Sequence, residues 1–160
     1  MKAIILAGGR GKRLKPVTDY VPKPLIPLDN IPIIEWQIRY LKKFGIKDII
    51  ICTGYKTEQI ENYLHVKNNL GVKIQFSKEK VPLGTGGAIK QASHFINEKS
   101  FIVVNGDIIT NIDIKKLKQK LRRRQSAGRP VTVAPTGRNP GTFRISRRGA
   151  YGTCPSCLRC

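Results

Sequence analysis

The first three-quarters of the chain alternates apolar runs of strand length with segments in which apolar residues recur at helical spacing. The apolar runs predict strands at residues 2–7, 48–53, 72–77 and 101–105. Helical spacing predicts helices at residues 33–44, 57–66, 86–96 and 112–121. Strands that alternate with helices in this way are typical of an α/β fold with a largely parallel sheet.

The composition changes abruptly near Leu121. Residues 1–121 hold all ten acidic residues, eighteen lysines and three arginines, for a net charge of +11, whereas residues 122–160 hold nine arginines and no acid, for +9. The second segment is rich in Arg, Gly, Pro and Ser, which favours disorder, with one short strand predicted at residues 131–134. We therefore divide the chain into a domain of residues 1–121 and a basic irregular tail of residues 122–160.

Two hypotheses account for the basic tail. A shifted reading frame or a foreign fusion would explain why lysine gives way to arginine and every acid disappears beyond one position. Translating the gene in its other frames downstream of codon 121 tests this hypothesis, because a frameshift predicts family-like sequence there. Alternatively, the tail binds nucleic acid through phosphate contacts. Cys154, Cys157 and Cys160 are weak metal candidates, because zinc prefers four ligands.

The sequence shows no signal for secretion or membrane insertion. Its N-terminal apolar run is short and soon reaches glycines, and no stretch approaches the roughly 20 apolar residues of a membrane span. We expect a cytoplasmic protein without a disulfide framework and without a membrane partner.

The first strand runs directly into a glycine-rich loop that contains Gly8, Gly9 and Gly11. Glycines at the carboxyl end of a strand let backbone N–H groups approach phosphate oxygens, and ligands of open α/β sheets bind at that edge. The positive charges of Arg13 and Lys23 would complete an anion site there.

Spacing excludes two common phosphate loops. The Walker A pattern and the dinucleotide fingerprint would need glycines where Leu6 and Leu14 stand. Residues 6–27, LAGGRGKRLKPVTDYVPKPLIP, instead resemble the LAGGxGxRLxPxTxxxPKPLxP signature of the sugar-phosphate nucleotidylyltransferases, or NDP-sugar pyrophosphorylases. Lys12 departs from the small hydroxyl residue that many members carry.

The resemblance implies roles for the residues of this first motif. The glycine loop would wrap the nucleotide, Arg13 would hold the triphosphate, and Lys23 would steady the reacting phosphates. The nucleotide-binding residues implied in this motif are Leu6, Ala7, Gly8, Gly9 and Gly11.

A second motif, residues 79–87 with the sequence EKVPLGTGG, lies between the third predicted strand and a helix. It resembles the family motif in which the residue matching Glu79, with Gly84 and Thr85, reads the base. A carboxylate accepts hydrogen bonds from the N1–H and amine of guanine, whereas many uridylyl and thymidylyl members carry Gln there. GTP is therefore favoured, while adenine, cytosine and uracil stay open.

A third motif follows the fourth predicted strand, where Asn105, Gly106 and Asp107 occur together. A carboxylate at the carboxyl end of a strand suits Mg²⁺ that bridges phosphate oxygens. In isolation this tripeptide is a common turn. By resemblance Asp107 is the family's first metal ligand and a catalytic residue, and Asn105 contacts the nucleotide.

Taken together, the resemblance implies a Rossmann-like three-layer α/β/α fold that is truncated at its C-terminal side. The expected activity is transfer of a nucleotidyl group from GTP to a sugar 1-phosphate of the mannose 1-phosphate type, with Mg²⁺ as cofactor. The alternatives are a non-catalytic nucleotide-binding fragment and a nucleic-acid-binding protein that acts through the tail. Nucleic acid is not the expected partner, and a homo-oligomer is compatible with the sequence.

Overall fold

The computed structural model describes residues 1–98, 100–125, 133–135 and 143–145. The chain divides into two units, Met1–Ile109 and Thr110–Cys160. The three C-terminal cysteines considered as metal ligands lie outside the described residues.

The first unit carries most of the regular structure. Its elements in chain order are β1 (Ala3–Leu6), α1 (Val17–Tyr20), β2 (Pro27–Leu28), β3 (Ile31–Pro32), α2 (Ile33–Lys43), β4 (Asp48–Thr53), α3 (Thr57–Val66), β5 (Lys73–Lys78), α4 (Gly84–Ala92) and β6 (Ile102–Asn105). Short 3₁₀ turns occur at Lys12–Leu14, Lys23–Leu25, Asn68–Gly71 and Ser93–Phe95.

Four parallel strands form the sheet, in the order β5-β4-β1-β6. The chain builds outward from β1 through β4 to β5, and then returns across the sheet to place β6 on the other side of β1. A parallel sheet whose strand order reverses in this way opens a crevice at the carboxyl ends of the strands beside the reversal. The reversal here lies between β1 and β6, where Leu6 and Asn105 are register partners.

The sheet is buried on both faces. Residues 3–5 of β1 and 49–53 of β4 are each at most 1% exposed, although successive residues of a strand point to opposite faces. Helix α4 covers one face, where Ala88 and Ala92 pack with Ile4, Ile50 and Cys52. Helices α2 and α3 each bury part of their apolar residues: Ile34, Ile38 and Leu41 in α2, and Ile60 and Leu64 in α3. Such burial explains why β1 and β4 are continuous apolar runs rather than alternating ones.

The predicted order of strands and helices in the first unit is confirmed, with small shifts at the ends. Helix α4 is displaced most: it begins at Gly84 rather than residue 86 and gives way to the Ser93–Phe95 turn. The antiparallel hairpin of β2 and β3 was not predicted. Asp29 and Asn30 between its strands both have positive φ, which matches the preference of these residues for tight hairpin turns.

The second unit begins with helix α5 (Ile114–Gln125) and contains an antiparallel pair, β7 (Val133–Pro135) and β8 (Phe143–Ile145). The side chain of Asp113 starts α5, because its Oδ1 accepts hydrogen bonds from the N–H groups of Lys115 and Lys116. The helix does not end at residue 121 as predicted, since its turns continue through the arginine run to Gln125. Strand β8 was not predicted, and the predicted strand at residues 131–134 appears in part as β7. The domain division at residue 121 stays a prediction.

Candidate nucleotide-binding site

A cleft of about 410 Å³ opens at the carboxyl ends of the parallel strands of the first unit. It is lined by Leu6, Ala7, Gly8, Gly9, Gly11, Lys23, Pro24, Glu79, Pro82, Gly84, Thr85, Ala88, Asn105, Gly106 and Asp107. Every candidate residue of the three motifs except Arg13 is in this set. Three motifs that are distant in the chain therefore border one cavity.

The glycine loop leaves β1 and lies against the end of β5. A Cβ built on Gly8 would lie 2.7 Å from Oε1 of Glu79, so the loop passes directly over that carboxylate. Gly11 has a φ of 62°, and a Cβ there would lie 2.9 Å from Cγ2 of Thr18. The buried Thr18 hydroxyl donates to the Gly11 carbonyl at 3.1 Å. The positive φ of Gly11 requires glycine there, whereas a side chain at position 8 would have to displace the Glu79 carboxylate.

Lys23 and Asp107 meet on one side of the cleft. Lys23 begins the Lys23–Leu25 turn after Pro22, and its Nζ lies 2.5 Å from Oδ2 of Asp107. The two side chains are 33% and 39% exposed, so the pair remains open to solvent and to a ligand. An ammonium and a carboxylate are thereby held together where the sequence predicts phosphate and metal contacts.

Asp107 belongs to a tight turn that follows β6. The Ile108 N–H donates to the Asn105 carbonyl at 3.3 Å, which closes a four-residue turn, and the Gly106 N–H donates to the Leu6 carbonyl at 2.7 Å. A Cβ on Gly106 would lie 2.5 Å from the Leu6 oxygen. The turn is therefore joined closely to the end of β1. The contact of Gly106 with β1 could not be predicted from the Asn105–Gly106–Asp107 tripeptide alone.

Glu79 stands at the end of β5, where its N–H donates to the Thr53 carbonyl. Its Oε2 accepts a hydrogen bond from the Leu83 N–H at 3.0 Å, which folds the segment before α4 back over the carboxylate. Burial, with a smaller contribution from the negative charge of Glu79, raises the pKa of the neighbouring Cys52 thiol to about 12. Glu79 lines the cleft, and the hydrogen bond from the Leu83 N–H holds its carboxylate in place.

Gly84 and Thr85 lie in the first turn of α4 rather than in a loop. The cleft is therefore bordered by the N-terminus of this helix, whose free N–H groups favour negative charge. Pro24, Pro82 and Ala88 complete the lining and were not among the candidate residues. Both prolines lie within the first and second sequence motifs, so their position in those motifs could have indicated that they border the site.

Arg13 is placed differently from the other candidates. It lies in the Lys12–Leu14 turn, its side chain is exposed, and it does not line the cleft. The left-handed conformation of Gly11 sets the direction of this turn. The interpretation of Arg13 as a triphosphate contact stays a prediction.

The donor set of the cleft fits one kind of metal site. Among the residues that the structure describes, no three of the His, Cys, Asp and Glu side chains form a metal-binding group. Asp107 supplies one carboxylate in the same cleft as the glycine loop of residues 8–11. Mg²⁺ is commonly held by one or two carboxylates together with substrate phosphates and water, so the residues fit a metal that arrives with a nucleotide.

The family model described as Nucleotidyl transferase matches residues 2–143. The chain belongs to this nucleotidyl transferase family. The matched range extends past the composition change at residue 121.

Named relatives agree with this assignment. The chain is 48% identical over 118 residues to the D-glycero-alpha-D-manno-heptose 1-phosphate guanylyltransferase of Campylobacter jejuni, which covers 74% of this chain and 52% of that protein. It is 43% identical over 114 residues to the N-acetylmuramate alpha-1-phosphate uridylyltransferase of Neisseria meningitidis, with coverages of 71% and 49%. The chain thus spans about half the length of the curated relatives it matches.

A solved structure confirms the fold class. HddC from Yersinia pseudotuberculosis, complexed with GMP-PN, superimposes with a TM-score of 0.69 at 38% sequence identity, covering 75% of this chain and 53% of that one. The Rossmann-like α/β architecture with a mainly parallel sheet is therefore shown. No helix in the described part of the chain is long and apolar enough to span a membrane.

Proposed function

We propose that this chain carries the nucleotide-binding half of an enzyme that transfers a nucleotidyl group from GTP to a sugar 1-phosphate and releases pyrophosphate. The observation that carries the proposal is the meeting of Lys23 and Asp107 at 2.5 Å, from 84 residues apart in sequence, beside the backbone of the glycine loop. The sugar is of the mannose 1-phosphate or manno-heptose 1-phosphate type, a choice supported by the name of the Campylobacter relative.

The reaction is attack by a sugar phosphate oxygen on the α-phosphorus of the nucleotide, with pyrophosphate as the leaving group. Both reactants are anions, so catalysis requires positioning and charge neutralisation rather than a protein nucleophile. Loop amides from Gly8 to Gly11 would bind phosphate oxygens, and the Lys23 ammonium would neutralise negative charge beside them. Arg13 would approach the triphosphate from the exposed turn.

Asp107 is the residue that would hold Mg²⁺ in this site. When bound, the ion neutralises charge on the phosphates and orients them. Asn105, at the end of β6, would contact the nucleotide from the same edge of the sheet. The 2.5 Å contact between Lys23 and Asp107 supports the proposal that both would act on one phosphate chain.

The base preference rests on Glu79. With Oε2 already accepting the Leu83 N–H, the carboxylate still has lone pairs for the N1–H and exocyclic amine of guanine. Leu6, Ala7, Gly84 and Thr85 would border the base. The guanylyltransferase name of the Campylobacter relative supports this choice, whereas the Neisseria relative is named a uridylyltransferase.

Calorimetric titration with GTP, UTP, ATP and CTP in Mg²⁺ tests the proposal. We expect GTP to bind most tightly, and Glu79→Gln to weaken GTP binding by about tenfold while leaving UTP within about twofold, because the amide can accept only one of the two hydrogen bonds from guanine. Glu58→Gln, an exposed change on α3, is the matched control. Equal affinity of the wild type for all four nucleotides would refute the base assignment.

Pyrophosphate release with GTP, Mg²⁺ and mannose 1-phosphate tests the catalytic part. The second candidate function is nucleotide binding without turnover. GTP binding without pyrophosphate release would select it. Absence of nucleotide binding together with steeply salt-dependent DNA binding would instead support the basic tail as the functional segment.

A further inference from the structure

Gln37 is a buried polar residue of α2 that contacts the turn carrying Asp107. It is 5% exposed, in a helix whose other buried positions are mostly apolar. Its Nε2 donates to the Asn105 carbonyl at 2.5 Å and to the Ile108 carbonyl at 2.9 Å. Both hydrogens of the Gln37 side-chain amide are therefore donated to one short segment, whose carbonyls lie 68 and 71 residues away in the chain.

The two accepting carbonyls belong to the first and last residues of the turn that contains Asp107. Within the turn, the Asn105 carbonyl also accepts the Ile108 N–H. The side chain of Gln37 thus bridges both ends of the turn and adds to the hydrogen bond that closes it. Gly106 ties the same turn to β1 through the Leu6 carbonyl.

The orientation of the Gln37 amide follows from its neighbours. A flipped side chain would place its oxygen against two carbonyl oxygens, whereas the observed orientation presents two N–H groups to them. Its Oε1 is buried and has no hydrogen-bond partner among the described residues. An apolar side chain would avoid that unpaired oxygen, so the requirement for glutamine lies in the two bonds that it donates.

We propose that Gln37 is a positioning residue, which fixes the Asn105–Gly106–Asp107–Ile108 turn and through it the place of the Asp107 carboxylate in the cleft. The consequence for nucleotide binding rests on the proposed function, whereas the consequence for the turn does not. Residues that orient a metal ligand in this indirect way commonly change metal affinity by about 10- to 100-fold when they are replaced.

Gln37→Met tests this role, because methionine keeps the length of the side chain and removes both donors. Native-state hydrogen exchange followed by NMR gives the first readout. We expect the amides of Gly106 and Ile108 to lose about tenfold or more in protection, while the core amide of Ile50 changes less. Ile38→Val, a small change at a buried position of the same helix, gives the pattern that lowered global stability alone produces.

GTP affinity measured with Mg²⁺ and with EDTA gives the second readout. In Gln37→Met we expect the enhancement of GTP binding by Mg²⁺ to fall by about tenfold, with little change in EDTA. Gln59→Met is the matched control, because Gln59 donates to the Tyr20 carbonyl at the end of α1 and not to the turn of Asp107. The control should retain the full Mg²⁺ enhancement.

The outcomes separate this inference from the proposed function. Equal loss of protection at Ile50, Gly106 and Ile108 would overturn it, as would full Mg²⁺ enhancement in Gln37→Met. If the wild type binds no nucleotide, the proposed function fails, and the exchange pattern alone decides the role of Gln37. Should Gln37→Met not fold, Gln37→Asn keeps the amide one methylene shorter and is expected to show the same pattern to a smaller degree.

Discussion

Replacing Gly106 with alanine introduces a methyl group where the end of β6 meets the end of β1. The added Cβ would lie 2.5 Å from the Leu6 carbonyl oxygen and 3.2 Å from the Ala7 Cα, compared with 3.4–4 Å for an ordinary contact. Both neighbours are backbone atoms, which cannot rotate away. The strand ends must therefore separate, and the 2.7 Å hydrogen bond from the Gly106 N–H to the Leu6 carbonyl is weakened or lost.

The magnitude follows from two contributions. Overpacking of a dense region costs about 1–3 kcal/mol. Loss of one backbone hydrogen bond adds about 0.5–1.5 kcal/mol. We expect Gly106→Ala to lower the free energy of unfolding by about 2–4 kcal/mol, a large part of the roughly 5–15 kcal/mol that stabilises a typical domain.

Urea unfolding followed by the fluorescence of Trp36, the only tryptophan, measures this change in the first unit. Gly9→Ala is the matched control, because a Cβ there meets nothing within 4 Å. The control should stay within about 1 kcal/mol of the wild type or become slightly more stable. A Gly106→Ala protein as stable as Gly9→Ala would refute the reasoning that backbone contact requires glycine at this position.

Three further changes have expected outcomes. The thiol of Cys52, fully buried and with its pKa raised to about 12, should not react with a disulfide reagent at pH 8 until urea unfolds the protein, in a variant whose three C-terminal cysteines are serine. Thr18→Val should lower the free energy of unfolding by only about 0.5–1.5 kcal/mol in urea titrations, because the Gly11 carbonyl keeps its hydrogen bond from the Leu14 N–H. Burial raises the pKa of Glu35, but hydrogen bonds from Tyr63 and Arg39 outweigh this effect and leave the pKa below 4.5. The ionised carboxylate therefore stabilises the fold above pH 4.5, and this stabilisation is lost as the pH falls further. In urea titrations, the free energy of unfolding of Glu35→Gln should fall less with decreasing pH than that of the wild type.

Much of the candidate site could be predicted from the sequence because its motifs occupy strand ends. Leu6, Glu79 and Asn105 come at or just after apolar runs, and parallel strands bring their carboxyl ends to one edge. Lys23 belongs to a motif with fixed spacing from the glycine loop. The roles assigned to these residues remain predictions, although their shared position in the cleft is observed.

Other contacts could not be predicted because they depend on how separate segments pack. Gln37 looks like any polar residue on an amphipathic helix until α2 is placed against the turn after β6. Arg13 is exposed and lies outside the cleft lining, which the spacing of the motif does not reveal. The hairpin at Asp29 and Asn30 has a local turn signal in these two residues, but hydrophobic periodicity alone does not detect so short a hairpin.

The sequence by itself determined the four strands of the parallel sheet and the helices between them, since buried parallel strands need apolar runs and the helices need apolar residues at their own period. Only the tertiary structure decided the strand order, the joining of Lys23 to Asp107 and the support of the Asp107 turn by Gln37. These features join residues far apart in the chain. Their energies depend on distances that exist only after the sheet has formed, and no local pattern of residues contains those distances.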